Sequence, residues 1–140
     1  MSKKGPIVII EDDLDDQSIL EEVFGLLEVK NELLFFTNGL KALEHLKVAA
    51  EDPFIIISDV NLPGMSGPDL KREINKDPVL REKSIPFVFF TTTASNQAVK
   101  DAYEMMVQGY FQKGNSFAEL TNALRLIVGY WTLCKHPIEN

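Results

Sequence analysis

Cysteine, long apolar runs and positive charge are all scarce in this sequence. The single cysteine, Cys134, excludes an internal disulfide and favours a reducing compartment. No run of about 18 apolar residues is present to span a membrane, and the apolar stretch Ile7–Ile10 is too short for a signal-peptide core. The 14 Lys and Arg residues are outnumbered by 21 Asp and Glu residues, and the resulting net charge of −7 argues against nucleic-acid binding. We therefore expect a cytoplasmic protein that contacts neither membrane nor nucleic acid.

Strand-like and helix-like segments, by contrast, alternate regularly along the chain. The 140 residues fit one domain, residues 1–140, with a sizeable core. The apolar runs predicted as strands are IVII from Ile7, LLFF from Leu33, FIII from Phe54, FVFF from Phe87 and YFQK from Tyr110. Because a helix pattern follows each run, we predict an α/β fold with a flavodoxin-like, doubly wound, five-stranded parallel sheet of order 2-1-3-4-5 and five helices.

The later connections and helices also have local signals. Segment 77–86 is polar and flanked by prolines, so it is predicted to be a connection without a helix. A helix is predicted between Ser95 and Val107, with Met106 facing inward. Ser116 and Glu119 have the spacing of a capping box, which predicts that the last helix begins there.

Carboxylates follow the first and third predicted strands. The central strand ends at Asp59, and ligands bind at the carboxyl edge of such sheets. The predicted strand order places strand one beside strand three, which brings Glu11 and Asp12 toward Asp59. Clustered carboxylates repel one another unless a cation is present, and oxygen-rich sites suit Mg²⁺ or Mn²⁺. This edge is therefore a candidate metal site.

A hydroxyl and a cationic side chain follow the fourth and fifth strands. Thr91 and Lys113 are of the types needed for phosphoryl transfer to an aspartate nucleophile such as Asp59. Taken singly, each has an ordinary alternative: Thr91 is a strand-compatible residue, Lys113 a surface lysine, and the acidic run Glu11–Asp16 a solvated loop. Their convergence on one edge of the sheet favours a functional site.

In combination, these motifs resemble the receiver domain of two-component response regulators over nearly the whole chain. The resemblance is carried by IVIIEDD at strand one, SDVNLPGMSG around Asp59, PFVFFTT at strand four and GYFQK at strand five. It implies a stand-alone receiver of the chemotaxis or phytochrome-associated type, because the chain ends with the receiver and no output domain is expected. The C-terminal GYWTLCKHP is similar to the aromatic end of the phytochrome-associated type.

The resemblance also implies a role for each site residue. Asp59 is implied to be the phosphoacceptor, with Mg²⁺ or Mn²⁺ bound by Asp12, Asp59 and the backbone carbonyl of Asn61, and by Glu11 through water. The remaining implied roles are the switch hydroxyl for Thr91, the aromatic switch for Tyr110 and the phosphoryl-pairing cation for Lys113.

The function implied is that of a phosphorelay response regulator. A sensor histidine kinase or a phosphotransfer protein would phosphorylate Asp59, and the signal would leave through the face made by the fourth helix, fifth strand and fifth helix, between Ser95 and Trp131. An output protein of unknown identity would bind there, and the receiver would be a monomer or a homodimer. Chemistry beyond phosphorylation and dephosphorylation of Asp59 itself, such as turnover of an external substrate, is not expected.

Two positions depart from the family pattern. Gly114 follows Lys113 where the family usually has proline, often with a cis peptide bond, and such a bond is costly before other residues. Thr92 follows Thr91 where the family usually has a very small residue. The isomer of the Lys113–Gly114 bond is therefore left open.

Other classes of protein use similar residues. Glu11, Asp13, Asp15 and Glu22 partly match an EF-hand calcium loop, but Asp16 stands where that loop needs glycine. An aspartyl-phosphate phosphatase would need a carboxylate two residues after Asp59, and Asn61 is there instead. A receiver-like module that binds partners without phosphorylation is the third alternative. Mg²⁺-dependent phosphoryl labelling separates these three from a receiver.

Overall fold

Five parallel strands form the single sheet of the computed structural model, which describes residues 3–136. The strand order is β2-β1-β3-β4-β5, which confirms the predicted order. The strands are β1 (Ile7–Ile10), β2 (Leu33–Phe36), β3 (Ile55–Ser58), β4 (Phe87–Thr91) and β5 (Gly109–Gln112). Strand β1 pairs with both β2 and β3, so the reversal of strand order lies beside Ile10 and Ser58, which are paired in register.

Six helices flank this sheet in the described part of the chain, one more than the five predicted. They are α1 (Leu14–Leu26), α2 (Gly39–Val48), α3 (Gly67–Lys76), α4 (Pro78–Glu82), α5 (Asn96–Glu104) and α6 (Phe117–Leu133). The extra helix, α4, lies in the segment that was predicted to be a connection. The carboxylate of Asp77 accepts hydrogen bonds from the amides of Val79 and Leu80, while Pro78 occupies the first turn and Leu80 is buried. This cap and the buried Leu80 stabilise a single helical turn. The helix was not predicted because the segment is polar and shows no helical apolar pattern.

The core consists of two apolar layers, one on each face of the sheet. Val8 and Ile10 face the layer completed by α2, α3, α4 and α5, whereas Ile7 and Ile9 face the layer completed by α1 and α6. Because helices cover both faces, the central strands β1, β3 and β4 are apolar except for the last residues of β3 and β4, Ser58 and Thr91, and the sequence therefore shows them as nearly continuous hydrophobic runs. Polar residues are thereby displaced to the strand ends.

Met106 does not face inward as predicted. Its side chain is 74% exposed, and its backbone has a φ of 66°, in the left-handed region. Helix α5 ends at Glu104, so the helical periodicity that predicted burial does not extend to Met106. Among the helices of residues 3–136, none combines the length and the apolar character that a membrane crossing requires.

Candidate functional site

The carboxyl ends of β1 and β3 bring three carboxylates together. The amide of Asp59 donates to the carbonyl of Ile10 at 3.0 Å, which fixes Asp59 beside the residues that follow β1. One carboxylate oxygen each of Glu11, Asp12 and Asp59 lies within 4.8 Å of the others. Glu11 is buried and Asp12 is exposed, so the group opens toward solvent on the Asp12 side. Three hard oxygen donors in this arrangement fit Mg²⁺ or Mn²⁺.

The loop after β3 returns closely over Asp59 because Gly67 permits it. The amide of Gly67 donates to the carbonyl of Val60 at 3.0 Å. A β-carbon at Gly67 would lie 2.2 Å from the carbonyl oxygen of Asp59, so no larger residue fits without a backbone shift. The hydroxyl of Ser58, at the end of β3, donates to the same carbonyl at 2.8 Å. These contacts hold the Asp59 backbone in place under the loop.

The Asp59 carboxylate is oriented by hydrogen bonds on one oxygen. Oδ1 accepts from the Thr91 hydroxyl at 2.6 Å and from the Val60 amide at 2.7 Å. Oδ2 lies 3.5 Å from Nζ of Lys113. The side chain of Asp59 is 14% exposed. It is therefore held by neighbours from β4 and β5 and still reachable from solvent.

Lys113 is surrounded by acidic groups. Its ammonium lies 2.5 Å from Glu11 Oε1 and 3.4 Å from Asp16 Oδ2, in addition to its contact with Asp59. Burial lowers the pKa of Lys113, but the hydrogen bond to Glu11 and the charges of Glu11, Asp59 and Asp16 outweigh it, so its pKa is raised. The pKa of Glu11 is also raised, because burial of its carboxylate outweighs the effect of Lys113. The lysine is thus a persistent cation at this edge.

Asn61 and Tyr110 meet at Thr93. The Asn61 amide group donates to the Thr93 hydroxyl at 2.7 Å, and the Tyr110 hydroxyl donates to the Thr93 carbonyl. The ring of Tyr110 lies against Phe89, with centroids 5.8 Å apart. Burial, followed by the charge of Asp59, raises the pKa of Tyr110. This chain of contacts links the loop after β3 to β5 through the segment after β4.

The two departures from the expected pattern have definite positions. No peptide bond between residues 3 and 136 is cis, so the Lys113–Gly114 bond is trans. A β-carbon at Gly114 would lie 2.7 Å from the β-carbon of Glu119, which explains why a small residue stands there. Thr92 is exposed, directly after the buried Thr91.

The predicted site residues lie together at the carboxyl edge of the sheet. They are Glu11, Asp12, Asp59, Asn61, Thr91, Tyr110 and Lys113. Two contributors were not predicted there: Asp16, whose carboxylate reaches Lys113, and Thr93, which joins Asn61 to Tyr110. In the sequence, Asp16 is one member of the acidic run Glu11–Asp16, and nothing in that run distinguishes it as the residue that reaches Lys113. The run Thr91-Thr92-Thr93 signalled hydroxyls at the end of β4, but it does not distinguish which one reaches which neighbour.

Comparison with known proteins finds similarity to response regulators in both sequence and structure. Residues 7–125 match the family model of the response regulator receiver domain. The chain is 30% identical over 130 residues to response regulator Rcp1 of Synechocystis sp., which spans 89% of this chain and 87% of that protein. Among solved structures, the phosphorylated cyanobacterial phytochrome response regulator RcpA has a TM-score of 0.86 at 25% identity and covers 97% of this chain and 99% of its own. The Mn²⁺-bound form of Rcp1 has a TM-score of 0.83 at 28% identity, covering 96% and 99%.

Proposed function

The chain belongs to the response regulator receiver domain family, and we propose that Asp59 is the residue on which it accepts a phosphoryl group. The observation that supports this is the hydrogen bonding of the Asp59 carboxylate to Thr91 together with its proximity to Lys113. A carboxylate oxygen of Asp59 attacks the phosphorus of a phosphohistidine. The P–N bond breaks, and the histidine nitrogen leaves with a proton from solvent. The product is an acyl phosphate on Asp59.

The residues around Asp59 fit the charges of that reaction. We propose that Lys113 pairs with phosphoryl oxygens and that the Thr91 hydroxyl donates to one, and their contacts with Asp59 support both roles. We propose that Asp12, Asp59 and the backbone carbonyl of Asn61 hold Mg²⁺ or Mn²⁺, with Glu11 acting through water. A bound divalent cation would neutralise the crowded carboxylates and the incoming phosphoryl oxygens. The Mn²⁺-bound form of Rcp1 supports this assignment.

We further propose that the signal leaves through the face made by α5, β5 and α6. Because α4 was not predicted, α5 and α6 correspond to the fourth and fifth helices of the sequence analysis. The Thr91 hydroxyl now donates to Asp59, and a phosphoryl group on Asp59 would offer it a new acceptor. Two residues after Thr91, the amide of Thr93 donates to the Thr91 hydroxyl, and the Thr93 carbonyl accepts from the Tyr110 hydroxyl on β5. A shift of Thr91 would therefore reach Tyr110, and the face would change only by as much as the two states differ in these contacts.

The proposed partners follow from this chemistry. The phosphoryl donor is a sensor histidine kinase or a phosphotransfer protein in the cytoplasm, and a separate output protein reads the altered face. Reaction is confined to phosphorylation and dephosphorylation of Asp59 itself.

Phosphoryl labelling with Mg²⁺ and a small acyl-phosphate donor tests the proposal. Wild type should take up one acid-stable, base-labile phosphoryl group, and Asp59→Asn should take up none. Asp69→Asn is the matched control, because Asp69 is an exposed acid on α3 that pairs with Arg72. Full labelling of Asp59→Asn, with circular dichroism showing an intact fold, would refute the assignment. Turnover of added phosphoesters would instead identify a phosphatase.

A further inference from the structure

A cleft at the amino-terminal edge of the sheet contains a buried lysine. Lys71 on α3 is only 6% exposed, and it lines a cavity of about 420 Å³ between α3, α4 and the segments that lead into β4 and β5. Ile85 and Gln108, which precede those two strands, form part of the wall. The cleft is therefore at the opposite edge of the sheet from Asp59.

The ammonium of Lys71 has no polar partner within residues 3–136. Its described contact is with the face of the Phe87 ring, 5.5 Å from the centroid, and it makes no hydrogen bond or ion pair there. An ammonium that is largely removed from water without an opposite charge is costly. Burial accordingly lowers the pKa of Lys71. An anion in the cleft would remove this cost.

All of the charged residues that line the cleft are positively charged. Arg81 on α4 also lines it, and its guanidinium forms no ion pair among the described residues. No aspartate or glutamate of residues 3–136 is part of the lining. This is notable in a chain whose net charge is −7, where acidic groups outnumber basic ones. Two cationic groups that have no counter-charge among residues 3–136 thus line one cavity.

The remaining wall combines four apolar residues with the polar residues Asn75, Ser84 and Gln108, and its frame is fixed. The apolar lining residues are Ile74, Leu80, Ile85 and Met106. The amide group of Asn75 donates to the Met105 carbonyl at 3.0 Å, which ties α3 to the end of α5. The amide of Phe87 donates to the side-chain carbonyl of Gln108 at 2.7 Å, which ties β4 to the start of β5. The cleft is therefore largely pre-formed, as ligand sites usually are.

We propose that this cleft is a binding site for a small amphipathic carboxylate. The carboxylate would pair with Lys71 and Arg81, and a short alkyl chain would lie against the apolar wall. Charge-assisted hydrogen bonds to the head and burial of the methylene groups would both favour such a ligand over a neutral one. This site is independent of the chemistry proposed at Asp59.

Titration with hexanoate, followed by NMR of methyl groups, tests the proposal. The methyl signals of Met106, Ile74 and Ile85 should shift to saturation, and that of Met65, in the loop after Asp59, should not. Because 1-hexanol has the same chain without the charge, it should bind at least about tenfold more weakly, the difference expected for a charged hydrogen bond. Hexanoate should also raise the melting temperature of wild type through ligand linkage.

Variants at the two cationic positions isolate the contribution of charge. Lys71→Met keeps the apolar stem and leaves Arg81 in place, so its preference for hexanoate over 1-hexanol should fall most strongly but not vanish. Arg81→Gln changes an exposed residue, so it tests the same preference without risk to the core, and the preference should fall several-fold. The matched control is Lys76→Met, which removes an exposed cation from the same helix and should keep the full preference. Equal binding of the two probes to wild type, a preference that is undiminished in both cleft variants, or no saturable shift at all would overturn the proposal.

Discussion

The half-buried Lys113 and the buried Lys71 lie at opposite edges of one sheet, and the charges around them differ. Three carboxylates surround Lys113, and its pKa is raised. Lys71 faces the ring of Phe87, and its pKa is lowered by burial. The same side chain is therefore held as a cation at one edge and destabilised as a cation at the other. At the carboxyl edge the protein's own carboxylates pair with the lysine, whereas at the amino edge no acidic group of residues 3–136 pairs with it.

Loss of the cation at the carboxyl edge should have the largest effect. Lys113→Met leaves Glu11 and Asp59 close together without their shared counter-charge, and breaking a buried pair in this way costs about 3 kcal/mol. We expect the free energy of unfolding, measured in urea at pH 7 with a chelator present, to fall by about that amount. The control is Lys76→Met, which removes an exposed pair worth at most about 0.5 kcal/mol. Equal losses in both variants would mean that the carboxylates do not depend on Lys113.

The second largest effect should come from binding of Mg²⁺ at the carboxyl edge, which should stabilise the folded protein. Mg²⁺ at about 100 times its dissociation constant should raise the free energy of unfolding by about 2.7 kcal/mol. Asp12→Ala should respond much less, and without metal it should be more stable than wild type, since it removes one of three crowded charges. Melting curves with Mg²⁺ and with a chelator measure both effects.

Asp69→Ala serves as the control for the metal response, because it removes an acid from a different helix, α3. It should respond to Mg²⁺ as wild type does. Identical melting temperatures of wild type with Mg²⁺ and with chelator would contradict a metal site at Glu11, Asp12 and Asp59.

Removal of the cation at the amino edge should increase the free energy of unfolding, whereas removal of Lys113 should decrease it. Lys71→Met replaces an unpaired ammonium with an apolar chain of similar shape, so we expect the protein to gain about 1 kcal/mol at pH 7. In wild type the folded-state pKa of Lys71 is lowered from 10.5. Between that lowered value and 10.5 the unfolded chain binds more protons, so wild-type stability rises with pH across this window. The advantage of Lys71→Met should therefore shrink as the pH approaches 10.5.

Urea unfolding of wild type and Lys71→Met at several pH values checks this linkage. Lys76→Met is again the matched control, because its ammonium is exposed and its effect should not depend on pH in that window. A loss of stability in Lys71→Met at every pH would show that its ammonium is stabilised where it lies.

The two edges of the sheet also differ in how far the sequence could predict them. The carboxyl edge follows from chain order, because the residue after a buried strand lies at that edge whatever the tertiary detail, and so Asp59 and Lys113 were predicted there. The amino-edge cleft depends on how α3, α4 and the end of α5 pack together. The single turn α4 was missed because its signal is one cap at Asp77, and nothing in the local pattern distinguishes the buried Lys71 from a surface lysine. Contacts such as Asn61 with Thr93 depend on loop geometry, which no periodicity encodes.

The smallest effect should be on the lifetime of the phosphoryl group at Asp59. Hydrolysis needs a water in line with the bond between Asp59 and phosphorus. Thr92 is exposed directly after Thr91, whose hydroxyl contacts Asp59, so we expect its side chain to lie near the approach to that carboxylate. Its branched β-carbon is stiff at χ1 and should crowd the path of the water. The alternative is that its hydroxyl holds the attacking water, but that hydroxyl can instead turn to bond the backbone.

We therefore expect Thr92→Ala to lose phosphoryl about threefold faster than wild type, a change of ~0.7 kcal/mol in the barrier. The measurement is the first-order loss of label after the donor is removed. The control is Thr121→Ala, which removes a hydroxyl that donates to the Phe117 carbonyl within α6, away from Asp59, and which should decay as wild type does. A slower loss in Thr92→Ala would show that the hydroxyl assists the water. In that case the carboxyl edge supplies a group that positions the water, and the steric explanation is wrong.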